Sequence, residues 1–68
     1  MKDDAKKLGE NLKMIRTKKN ITQTQLAETL GVDKSFVSNI ENGKTNPTLS
    51  TITNLAQALK VSTNELLK

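Results

Sequence analysis

A chain of 68 residues with no Cys, no His and a formal charge of +4 is read as one small domain, spanning residues 1–68 and held together by apolar packing and helix capping. Disulfides are excluded, as are metal sites built on thiolate or imidazole. The same absences, with seven scattered carboxylates, argue against an enzyme, because nucleophile and general-base arrangements usually need His or Cys. No cofactor and no metal are expected.

The net positive charge favours a polyanionic partner. Phe36 is the only aromatic residue, which argues against a single-strand binder that stacks bases, so duplex DNA is preferred. No apolar run exceeds two residues, which rules out a transmembrane span and a secretory signal. The chain reads as soluble and cytoplasmic, with no membrane partner.

In chain order, Ala5, Leu8, Leu12 and Ile15 recur at three- and four-residue steps, which predicts an amphipathic helix from about Asp3 to Lys19 with Asp3 and Asp4 near its positive end. In "ITQTQL", Thr22 and Gln25 fit a capping box, with Ile21 and Leu26 as its hydrophobic staple, so a second helix starts at Gln23. It turns Leu26, Ala27 and Leu30 inward and stops at Gly31, which can adopt a left-handed conformation without steric cost. Val32 follows, placed to pack back on Ala27.

Asp33 is the expected N-cap of a third helix, which buries Val37 and Ile40 and ends at "NGK". About three residues join these two helices, so a sharp angle between them is expected. After "GKTNP", Thr48 caps a fourth helix with apolar positions Leu49, Ile52, Leu55, Ala56 and Leu59. Ser62 with Glu65 forms a second expected capping box, and Val61 with Leu66 a second staple, opening a short fifth helix. The predicted fold is all-α, five compact helices.

The third helix carries the functional signal. At about 100° per residue, Lys34, Ser38, Asn42, Ser35 and Asn39 fall within an arc of about 140°, opposite Val37 and Ile40, with Phe36 and Glu41 on the borders. One face is apolar; the other is a continuous stripe of hydrogen-bonding side chains. A major groove admits such a helix and offers base-edge donors and acceptors to it. The tight helix–turn–helix unit, residues 23–42 or so, holds that helix out from the body.

At these residues "ITQTQLAETLGVDKSFVSNIENGKTNPTLSTITNLAQALKVSTNELL" resembles the helix-turn-helix domain shared by phage repressor and Cro proteins and the xenobiotic-response-element (XRE) family of bacterial regulators. The likeness covers about Leu8 to Leu67. It implies a five-helix repressor-like domain that binds operator DNA as a homodimer. By the same resemblance Lys34, Ser35 and Asn39 match base-reading positions, with Ser38 beside them. Thr22, Gln23, Asn42 and Lys44 match phosphate-contacting positions, and Phe36 a position that lies against the DNA backbone. Arg16 is implied to pair with Glu41 and orient the recognition helix. Lys60 departs from the pattern, which usually has Gly there.

The expected function is a transcriptional regulator, repressor or controller in type, on a palindromic operator. Leu66 and Leu67, adjacent on a helix too short for one monomer to bury both, mark the expected dimer interface. A module that binds protein, or an antitoxin-like partner on the same fold, is the alternative.

Overall fold

The computed structural model describes residues 2–68, and among them it contains five helices and no strand. They are α1 (Lys2–Lys18), α2 (Gln23–Leu30), α3 (Lys34–Glu41), α4 (Leu49–Leu59) and α5 (Thr63–Leu67). The side chain of Asp3, expected near the positive end of α1, lies outside the described residues.

The core is built from Leu8 and Leu12 of α1, Leu26 and Ala27 of α2, Val37 and Ile40 of α3, Ile52, Leu55, Ala56 and Leu59 of α4, and Leu66 of α5. Each fully buried aliphatic side chain contributes about 1.5–3 kcal/mol relative to exposure, so a chain this short needs one from every helix. α3 packs against α1 and α2, while α5 packs against α1 and α4. Asn11 fastens the last helix: its Nδ2 donates to the carbonyls of Leu66 (2.9 Å) and Lys68 (3.2 Å), satisfying acceptors that a helix end leaves unpaired.

Local capping explains where α2 and α4 begin. Thr22 Oγ1 accepts from Gln25 N (3.0 Å) while Gln25 Oε1 accepts from Thr22 N (2.9 Å), closing the capping box. Thr48 Oγ1 accepts from Thr51 N at the start of α4 (3.2 Å). The other two caps differ from expectation. Neither Asp33 nor Ser62 makes a side-chain cap bond. The amides of Phe36 and Glu65 take the backbone carbonyls of Asp33 and Ser62 instead, each at 3.0 Å, and that tight first turn removes the donor a side chain would have capped. Glu65 thus forms no capping box and pairs with Lys68 (3.4 Å).

Leu49 also departs from expectation, standing 70% exposed. As the first residue of α4 it lies at the edge of the arc defined by Ile52, Leu55 and Leu59, beyond the reach of the core.

Helices α1 to α4 end by one device. Asn20, Gly31, Gly43 and Lys60 adopt positive φ (59°, 73°, 72° and 60°), and the amide of the next residue reaches back to the carbonyls of Arg16, Ala27, Asn39 and Ala56 respectively. A side chain in this conformation costs on the order of 1 kcal/mol relative to Gly. Lys60→Gly is therefore expected to raise the melting temperature by roughly 4 to 8 °C in a domain of this size, read by thermal unfolding. An unchanged or lower value would show that Lys60 carries no such strain.

Gly9 has a second reason to be glycine. A Cβ there would collide with the carbonyl oxygen of Ile40 and come within 2.6 Å of that of Glu41. A mid-helix glycine costs about 1 kcal/mol against alanine, and here it lets the backbone of α1 lie directly on the last turn of α3.

Candidate nucleic-acid interface

α3 is clamped on one side and free on the other. Val37 and Ile40 are fully buried, whereas Lys34, Ser35, Phe36 and Asn42 are exposed and Ser38 and Asn39 half-buried. The polar arc is thus a surface ridge, and Asn42 Nδ2 lies 3.4 Å from Ser38 Oγ within it. Phe36 is 38% exposed, on the border of that ridge. Lys44 is exposed just past the left-handed Gly43, its own amide tied to the Asn39 carbonyl (2.9 Å). Lys34 and Lys44, one at each end of α3, have no carboxylate partner among the described residues.

The start of α2 lies beside the start of α3. Thr22, Gln23 and Thr24 line a broad, shallow depression with Arg16, Thr17 and Lys34. Free amides at a helix N-terminus carry partial positive charge, so this depression and Lys34 present one sign of potential.

Beneath it lies a polar network that fixes α3. Arg16 Nε and Nη2 donate to the two oxygens of Glu41 (2.5 and 3.2 Å), and Nη1 donates to the Ile21 carbonyl (2.7 Å). The side chains of Arg16 and Glu41 are 9% and 2% exposed. Gln23 Nε2 adds a third donor to Glu41, 2.9 Å from Oε1. One carboxylate therefore joins the end of α1, the start of α2 and the end of α3, and its charge is compensated by a two-pronged guanidinium contact.

One residue and one contact that matter here escaped the sequence reading. Gly9 carried a signal, as an isolated glycine inside a helical pattern. The bond from Gln23 to Glu41 carried none, because it depends on how α2 crosses α3. At the other end of the molecule the leucine pair divides: Leu66 is fully buried in this chain's own core, while Leu67 is 53% exposed. A cleft between α1 and α5 is lined by Asp4, Lys7, Leu8, Leu66 and Leu67.

A short helix held outward on a three-residue turn, its inner face in the core and its outer face polar, defines a helix-turn-helix domain. The helix-turn-helix family pattern matches residues 12–66. The chain is 36% identical over 63 residues to the ImmF control region 10 kDa protein of Bacillus phage phi105, covering 93% of this chain and 70% of that one. It is 40% identical over 60 residues to the control protein C.SmaI of Serratia marcescens, covering 88% and 71%. The crystal structure of the restriction-modification controller protein C.AhdI from Aeromonas hydrophila superposes with a TM-score of 0.88 at 40% identity, over 93% of this chain and 96% of that one. The chain belongs to the helix-turn-helix family of DNA-binding transcriptional regulators, of the XRE type. That is a family of regulators and not of enzymes.

Proposed function

We propose that this protein is a sequence-specific regulator that lays α3 in the major groove of a near-palindromic operator and binds it as a homodimer. It acts in the cytoplasm, on double-stranded DNA. The observation that carries the reading is the outward polar ridge of α3, held from behind by the buried Arg16–Glu41 pair. Lys34, Ser35, Ser38 and Asn39 are assigned to base edges. Thr22, Gln23, Asn42 and Lys44 are assigned to phosphate, with Phe36 against the sugar–phosphate backbone. Exposed Leu67, beside the cleft that Leu66 closes from below, is assigned to the dimer contact. Two-fold symmetry then sets the half-sites about 34 Å apart on one face of the duplex.

Selection of bound duplexes from a random pool, at stated salt, tests this. Enrichment of paired, inverted half-sites supports the proposal. No enrichment, or a lone half-site saturated by monomer in ultracentrifugation, overturns it.

Reading and holding are separable by mutation. Asn pairs in bidentate fashion with adenine, whereas a lysine on phosphate contributes through released counterions. Asn39→Ala is expected to cost about 1–3 kcal/mol on the selected operator and much less on scrambled duplex. Lys44→Ala is expected to weaken both alike and to reduce the slope of log affinity against log salt by about one. Salt titrations on the two duplexes check the pair. Equal losses for Asn39→Ala, or a loss confined to the operator for Lys44→Ala, would reverse the assignment.

A further inference from the structure

We propose that Gln23 is a positioning residue that sets sequence preference, by locking the backbone-holding start of α2 to the base-reading α3. The assignment rests on the DNA reading above and gives Gln23 a task beyond holding phosphate. Among the described residues, its bond to Glu41 is the only side-chain hydrogen bond that joins α2 to α3.

Val37 and Ile40 of α3 share the core with Leu26 and Ala27 of α2, and apolar contact of that kind is non-directional. A hydrogen bond to a carboxylate has a preferred length and direction. Glu41 is itself immobile, since Arg16 grips both of its oxygens and is in turn tied to the Ile21 carbonyl. Gln23 therefore fastens α2 to a fixed point on the last residue of α3.

The amide has the capacity for a second contact. A glutamine carries two N–H hydrogens and a carbonyl oxygen; one hydrogen serves Glu41, and the half-buried side chain also lines the depression with Thr22, Thr24 and Lys34. A phosphate held there would take the second N–H. The same nitrogen then links the backbone of the duplex to the carboxylate that anchors the reading helix, so the register of one is imposed on the other.

Removing the donor leaves the Arg16–Glu41 pair in place. The fold persists and the correct sequence loses part of its advantage.

The test uses Gln23→Met, which keeps length and packing without the donor, alongside Gln23→Ala. Affinity is measured on selected operator and on scrambled duplex for both variants and the wild type. The expected result is a fall of roughly tenfold in the ratio of the two affinities, at the low end for a hydrogen bond to a charged group, on top of a several-fold weakening of both duplexes from the lost phosphate contact, with the salt slope unchanged because the amide is neutral.

A second arm needs no DNA: in free wild-type protein, the side-chain amide protons of Gln23 should exchange with solvent more slowly than those of exposed Gln57, by NMR. Equal weakening on both duplexes, or no weakening, overturns the assignment, as does exchange at Gln23 as fast as at Gln57. A wild-type chain that prefers neither duplex defeats the DNA reading itself and this assignment with it. Slow exchange at Gln23 in that case identifies the DNA reading as the part that failed.

Discussion

Glu41→Gln is expected to cost about 3–5 kcal/mol of folding stability, the range for breaking a buried ion pair by removing one member. The amide still offers an oxygen to Arg16, but the guanidinium charge is left without its counterpart where the Arg16 side chain is only 9% exposed. A small domain has a total stability of about 5 kcal/mol at the lower end of the usual range, so the variant should sit near or past its folding threshold at room temperature. Urea unfolding followed by circular dichroism reads this directly. Arg16→Met should do comparable damage from the other side, by stranding the carboxylate.

The double variant Arg16→Met/Glu41→Leu should recover most of the loss, because a well-packed apolar replacement of a buried pair is often neutral or stabilising. It should not recover operator preference, since the point to which Gln23 is fastened is gone. A Glu41→Gln protein with an unshifted urea midpoint would show that the pair adds nothing to stability.

Gly9→Ala is the second large effect, and its sign runs against intuition. Alanine in mid-helix is favoured over glycine by about 1 kcal/mol, so on propensity alone the variant should be more stable. The added methyl would meet the carbonyl oxygens of Ile40 and Glu41, and these are backbone atoms that cannot rotate aside. α1 and α3 must separate. Overpacking of this kind costs about 1–3 kcal/mol and occasionally more, and the rigid obstacle argues for the upper end. A net loss is expected, at roughly 4 to 8 °C of melting temperature per kcal/mol. A higher melting temperature for Gly9→Ala would mean that the two helices do not approach as described.

How much of this was legible beforehand follows from the range over which each feature is determined. The starts and stops of the helices lie within a few residues of their causes. Thr22 with Gln25, Thr48, Gly31 and Gly43 could be read directly, and the left-handed Lys60 was marked by a resemblance that has Gly in its place. The polar arc from Lys34 to Asn42 was equally visible, because a period of about 100° per residue decides which side chains share a face.

The failures have physical causes. Ser62 and Asp33 have the right composition for capping, yet a tight first turn supplied the backbone carbonyl instead. Leu49 has the right hydrophobicity for the core and the wrong place on α4. Gln23 meets Glu41 across 18 residues and Asn11 reaches Leu66 across 55; contacts of that span are set by how helices cross, which no local pattern encodes.

The tie from Asn11 to Leu66 has a consequence for synthesis. The flank of α1 carrying Leu8 is covered by α5, which is translated after the other four helices. At an elongation rate of roughly 5–20 residues per second, α1 is made seconds before that cover exists. Even then α5 must clear the ribosome tunnel before Leu66 can dock. Until then the nascent chain exposes an apolar flank to chaperones and proteases. A polypeptide whose translation halts short of residue 66 is expected to be cleared rather than to fold and compete for operator sites.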